Sequence, residues 1–314
     1  MLKNKVHSVV LLLGLTSLFF TYVTTGAGAN FSPQLPQWHV GDWWKFNIEI
    51  SGETSLVGTY TFTVVNDDVD VSQNEKSFNC YQIVTSGEGI LSGEVEGNQI
   101  EGTWTITEHQ YYTKSDQSWV AFYSTYEETL TVKDDSGATQ ISLVQDEKIT
   151  STTIKETKYN PPFEANKGFP LTVGESWSAA TTETTTTETA TNWSLESKTE
   201  TEWYTKTFSV LRQESITLPT GETETYVVKM TDSDGAYSET YYSPDVGFDV
   251  KQLTYDLTGT VQVTLELLDY SYQTAEDIQQ QLFSIEILQI FIILVIVAIT
   301  LVAAILLLKR RKNQ

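Results

Sequence analysis

Apolar and polar residues alternate along most of this chain. Trp44, Phe46, Ile48 and Ile50 alternate with Lys45, Asn47 and Glu49, and Val261, Val263, Leu265 and Leu267 alternate with Gln262, Thr264 and Glu266. A period of two with one apolar face is the mark of a half-buried strand. Tyr60-Phe62-Val64, Trp104-Ile106 and Tyr226-Val228-Met230 follow the same rule. Glycine-bearing turn signals fall between such runs: Ser86 to Gly89, Asp135 to Gly137, Pro219 to Gly221 and Asp234-Gly235. No helical stripe interrupts the pattern before Thr274. The spacing predicts antiparallel β structure.

The two ends depart from this pattern. Lys3 and Lys5 precede an apolar run from Val9 to Phe20, and Ala27-Gly28-Ala29 closes the segment. That order predicts a secretory signal over 1–29; an uncleaved anchor helix is the alternative. Ile287 to Leu308 carries no charge and is followed by Lys309-Arg310-Arg311-Lys312. About 20 apolar residues suffice to cross a bilayer, and basic residues stay on the cytoplasmic side. The sequence therefore predicts a transmembrane helix at 287–308, a cytoplasmic tail at 309–314 and a single-pass type I protein of the cell membrane. Thr274 to Asp277 fits a helix-capping box, so a helical stalk is expected over 273–286.

The middle of the chain repeats itself. Val40-Gly41-Asp42-Trp43-Trp44 is matched by Val173-Gly174-Glu175-Ser176-Trp177. In the same order, TYTFTVV (59–65) resembles TKTFSVL (205–211), NCYQIVTSGEG (79–89) resembles ETYVVKMTDSDG (224–235), and HQYYTKSDQSWV (109–120) resembles ETYYSPDVGFDV (239–250). This implies an internal duplication, with β modules at 30–158 and 159–272. The fold expected is an all-β ectodomain of two related antiparallel curved-sheet modules, half-barrels or sandwiches, plus the C-terminal transmembrane α-helix. Thr181 to Thr191 lacks an apolar face. It reads either as a glycosylated disordered loop or as an exposed hairpin arm, and the arm is preferred.

Composition narrows the chemistry. The chain has 41 Asp and Glu against 19 Lys and Arg, a formal net charge of −22. Such a field repels nucleic acid, so no nucleic-acid partner is expected. The single cysteine, Cys80, lies in a strand-like run and reads as a packed, inert thiol. His39 and His109 have no partner at metal-ligand spacing, and no phosphate loop or nucleophile motif is present. No enzyme activity, cofactor or metal is expected. Asn30 and Asn192 stand in N-glycosylation sequons. The remaining resource is aromatic: Trp44, Trp104, Trp177 and Tyr226 are the candidate ligand-binding residues, with packing in a core as the alternative role.

One resemblance bears on this. A proline-bearing lead-in, Gly-x-x-Trp opening a strand, and YYSPDVGFDVK (241–251) resemble exported proteins of unknown function related to TapB-like and LolA-like half-barrels. The resemblance implies a curved antiparallel sheet whose concave apolar face carries acyl chains. The function expected is a non-enzymatic, membrane-anchored surface protein that binds a lipid-like ligand or a partner protein. The alternative is a structural or adhesive envelope protein with filled sandwiches and no ligand.

Overall fold

The computed structural model describes residues 34–52, 54–95, 98–133 and 147–273. Twelve strands follow in chain order: β1 (Trp43–Ile50), β2 (Thr54–Gln73), β3 (Lys76–Val95), β4 (Asn98–Thr113), β5 (Trp119–Lys133), β6 (Glu147–Phe163), β7 (Ser176–Thr191), β8 (Leu195–Leu218), β9 (Gly221–Asp232), β10 (Tyr237–Ser243), β11 (Phe248–Tyr255) and β12 (Val261–Ser271). Each pairs antiparallel with the next, and β12 returns to pair with β1, from Trp43 opposite Ser271 to Ile50 opposite Val263. The sheet is a single closed barrel. Closure removes the two edge strands that an open sheet would leave unpaired.

This corrects the expected fold. The described chain does not form two half-barrel or sandwich modules, because β1–β6 and β7–β12 share one sheet and one core cluster. Among the described residues no helix is long and apolar enough to cross a membrane. The expected signal at 1–29, stalk from 274, span at 287–308 and tail lie outside the described residues. The C-terminal helix, the membrane partner and the single-pass cell-membrane placement therefore have no support in the structure and are withdrawn.

The alternating runs do form strands. In β1 the pattern of exposure alternates residue by residue, and Trp44, Phe46, Ile48 and Ile50 point into the core. In β12 Val263, Leu265 and Leu267 do the same, whereas Val261, at the strand's start, is exposed. The β2–β3 connection is two residues, Asn74 and Glu75, both at positive φ, the arrangement whose twist suits a tight hairpin.

Two local readings need correction. Ser86 to Gly89 is not a turn but the middle of β3. Gly89 lies against the Trp104 ring, where an added Cβ would stand 2.7 Å from Nε1 and would collide with the Val57 carbonyl. Those glycines give an aromatic side chain room to lie flat on the sheet. Thr181 to Thr191 is not a projecting arm. It is part of β7, paired on one side to β6 and on the other to β8. Its inner face is Thr181, Glu183, Thr185, Thr187 and Thr189, so the barrel interior is polar here.

The repeated sequence elements occupy matching positions within the one sheet. Gly41 N–H donates to Val64 O (2.9 Å) and Val64 N–H to Asp42 O (2.9 Å); Gly174 N–H donates to Val210 O (2.8 Å) and Val210 N–H to Glu175 O (2.9 Å). Both glycines take positive φ, 99° and 90°, which only glycine adopts without strain. The pairing irregularity after Val64 recurs after Val210, and that between Tyr111 and Tyr112 recurs between Tyr241 and Tyr242. The recurrence is one of local geometry inside a single barrel, and the expected internal duplication into two modules is not borne out.

One end of the barrel is capped by the segments that precede β1 and β7. Trp38 Nε1–H donates to Gly247 O in the β10–β11 turn (3.3 Å), and Gln117 Nε2–H in the β4–β5 turn donates to Pro36 O (3.0 Å). Trp38 packs edge-on against Trp44, Tyr81 and Tyr112. A 3-10 turn, Ala165–Gly168, covers the same end from the other side.

Candidate functional site

Inward positions on β1, β12 and, apart from Thr54, β2 are apolar, and those on the other strands include polar groups, charged ones on β4–β8 and β11. On β4 the inward series runs Trp104, Ile106, Glu108, Gln110, Tyr112, all buried. Period two places the last three above one another on one face. Tyr112 O–H donates to Gln110 Oε1 (2.6 Å) and Gln110 Nε2–H donates to Glu108 Oε1 (2.8 Å). Burial pushes the Glu108 carboxyl up to about 8, against the opposing pull of the Gln110 hydrogen bond and of Lys155. Removing water from around a carboxyl disfavours its charged form.

On β5, Tyr126 O–H donates to Glu128 Oε2 (3.3 Å). Burial raises Glu128 to about 7, and that hydrogen bond acts in the opposite sense. On β6 and β7, Lys155 and Glu183 share the interior. Burial lowers the lysine while Glu183 and Glu108 hold it up, and burial raises Glu183 while Lys155 holds it down. Thr185 Oγ1–H donates to Glu183 Oε1 (3.1 Å), and threonine hydroxyls join Thr153 to Thr189 (3.2 Å) and Thr157 to Thr185 (3.0 Å). On β8, Lys206 pairs with Asp232 (3.0 Å).

The interior wall of β10 and β11 differs. Tyr242 stands opposite Asp249, Thr240 opposite Gln252, and Ser238 opposite Thr254. Asp249 is 1 % exposed and neither of its carboxylate oxygens has a hydrogen-bond partner among the described residues. Burial alone raises it well above the ordinary carboxylate range. It acts on the Tyr112 hydroxyl across the interior. A hydrogen-bonded chain thus runs from Tyr112 through Gln110 to Glu108.

The four residues singled out from the sequence occupy separate positions. Trp44 is fully buried, stacked on Phe248 at 4.5 Å, with its Nε1–H donating to Val246 O (2.9 Å). Trp104 is buried beside Tyr60, with ring centroids 5.5 Å apart. Trp177 is half-buried, stacked on Phe208 at 5.3 Å, with Nε1–H donating to Ala165 O (2.8 Å). Tyr226 is half-buried on β9. Asn192 lies exposed at the β7–β8 connection, its Oδ1 accepting from Thr150 N–H (3.1 Å); Asn30 lies outside the described residues.

Glu108, Glu128, Lys155, Glu183 and Asp249 were not singled out. A signal for Glu108 was present: it falls in step with Trp104 and Ile106, which places a carboxyl on the face turned to the core. His109 is on the opposite face of the same strand, its Nδ1 3.2 Å from Gln82 Nε2. Among the described residues no three His, Cys, Asp or Glu side chains are grouped so as to hold a metal ion.

No family model matches this chain. No curated protein matches it either. Three solved structures are similar over most of their length. One is a β-barrel-like protein of a domain of unknown function, DUF1849, from Brucella abortus, with 7% identity, 74% of this chain and 98% of that chain covered, and a TM-score of 0.38. Another is a candidate exported protein with a YmcC-like fold from Bacteroides fragilis, with 8% identity, 76% and 99% covered, and a TM-score of 0.26. The third is a candidate lipoprotein from Parabacteroides distasonis, with 14% identity, 76% and 98% covered, and a TM-score of 0.26. None of these likenesses decides what this chain binds.

Proposed function

We propose that this protein is a non-enzymatic binding barrel that takes an amphipathic small molecule into its interior. The observation that carries this reading is the division of a twelve-strand interior into an apolar side and a polar side. Eight strands enclose a space that side chains just fill or that holds one small ligand, and diameter grows with strand number. Twelve strands therefore enclose more. Packing alone does not account for buried Asp249, since a buried carboxyl costs desolvation unless partnered and neither of its oxygens has a hydrogen-bond partner among the described residues. A ligand with an apolar body and a polar head suits both sides.

Native mass spectrometry of residues 34–273, which contain every strand of the closed barrel, tests this. A discrete mass above that of the chain, lost on unfolding, is expected. A bare chain mass after expression, unchanged on incubation with single-chain amphiphiles, would contradict it.

A further inference from the structure

Buried polar groups crowd the inner wall of β10 and β11. Asp249 offers two carboxylate oxygens, Gln252 its Oε1 and Ser243 and Ser238 their Oγ atoms, all buried and none with a hydrogen-bond partner among the described residues. Gln252 Nε2–H already reaches Thr254 Oγ1 at 3.5 Å. Native interiors rarely leave such groups unsatisfied, and a fully buried carboxyl with two open oxygens is the costliest kind. The lysines of the interior do not answer it. Lys206 is held by Asp232, and Lys155 is set between Glu183 and Glu108. No lysine or arginine among the described residues offsets Asp249.

The surroundings of Asp249 add a second requirement. Phe248, next in the chain, stacks on Trp44 and lies 5.6 Å from Phe62 and 6.1 Å from Phe46 and Trp38. Tyr112, whose hydroxyl senses Asp249, packs on Trp38 at 5.6 Å and on Phe122 at 5.9 Å. A buried carboxyl with no partner, close in the chain to an aromatic cluster, suits a cation that carries its own N–H donors on an apolar body. The carboxylate takes the charge-assisted hydrogen bonds.

We infer that Asp249, Gln252 and Ser243 form the head-group site for an ammonium-bearing amphiphile, with the apolar body of the ligand lying along the β1, β2 and β12 side. This rests on the interior-binding reading above and narrows it to cationic amines. Asp249 accepts from the ammonium N–H, and Gln252 Oε1 and Ser243 Oγ accept the remaining donors.

The probes are dodecylamine, dodecan-1-ol and dodecanoate, each below its micellar concentration in salt that screens the acidic surface, with binding followed by tryptophan fluorescence. The amine should bind about tenfold or more tightly than the alcohol, since a desolvated charge-assisted bond exceeds a neutral one. Asp249→Asn, close in shape and uncharged, should erase that preference while keeping alcohol binding. Adsorption to the outer surface would be indifferent to that substitution. If the alcohol or the acid binds as well as the amine, or if Asp249→Asn keeps the preference, the head-group assignment is wrong and interior binding stands. If none of the three binds, interior binding fails and the assignment falls with it. A melting temperature for Asp249→Asn at or above that of the parent shows that the variant is folded.

Discussion

The Asn166 side-chain amide donates to the Gln117 carbonyl at 3.1 Å, fixing the chain before β7 over the β4–β5 turn. Across the same end of the barrel, Trp38 makes the corresponding bond to Gly247 in the β10–β11 turn. Gln117 and Gly247 both sit at positive φ, 53° and 66°, and each accepts from the other half's lead-in. Neither half completes this cap alone. That is a physical reason why the halves close into one barrel rather than two.

Trp44 belongs to that cap. It is fully buried and stacked on Phe248, and its indole N–H is satisfied. Trp44→Ala should cost about 3–5 kcal/mol, the range for large aromatics removed from a core, read from denaturant unfolding. An unchanged midpoint with loss of bound ligand would show instead that Trp44 serves the ligand.

Gly89 passes under Trp104. Gly89→Ala would drive a Cβ into the Val57 carbonyl and towards the indole. Overpacking of this kind costs about 1–3 kcal/mol or more, and the neighbour here is backbone that cannot rotate away. A clear fall in the melting temperature is expected. Gly52→Ala is the control, since its Cβ would meet only the Thr54 carbonyl at 3.6 Å.

Glu108 couples stability to pH. Its folded pKa, about 8, lies above its unfolded value near 4.3. The folded state therefore holds a proton that the unfolded state has released. The stabilisation from the neutral acid is complete below about pH 4.3 and is lost as pH rises to 8, at up to about 1.4 kcal/mol per unit. Glu108→Gln keeps an oxygen for Gln110 and removes the titration. Its stability relative to the parent should rise between pH 5 and pH 8 in parallel urea titrations. A gap that stays constant over that range would contradict the buried, protonated assignment.

Cys80 should be inert. Burial, with a smaller push from Asp70, raises its thiol to about 12, and only the thiolate reacts. Maleimide at pH 7 should leave native protein unlabelled and label it fully in denaturant. Labelling at a free-thiol rate in the native state would place Cys80 outside the core.

The strands were legible where one face is apolar and the other polar, as in β1 and β12. β7 read as a strand, but as a projecting arm, because its inward residues are threonine and glutamate and the rule looks for apolar side chains to mark the core face. Gly87 and Gly89 read as a turn because glycine favours turns, whereas here Tyr60 and Trp104 lie over them. Closure was illegible for a different reason. The β1–β12 pairing joins residues more than two hundred positions apart, and no local pattern encodes which strands become neighbours. Asp249 was hidden by the bulge between Tyr241 and Tyr242, which shifts the inward face of β11 out of simple alternation.

Closure is the claim on which the interior, its polar wall and the site at Asp249 all depend. Nitroxide labels at Asn47→Cys and Glu266→Cys, register partners on β1 and β12, test it with Cys80 buried and unlabelled. Directly paired strands hold such positions roughly 5 Å apart at Cα, so strong dipolar broadening of the spectrum is predicted. Spectra no broader than the sum of the two single labels would contradict a closed barrel.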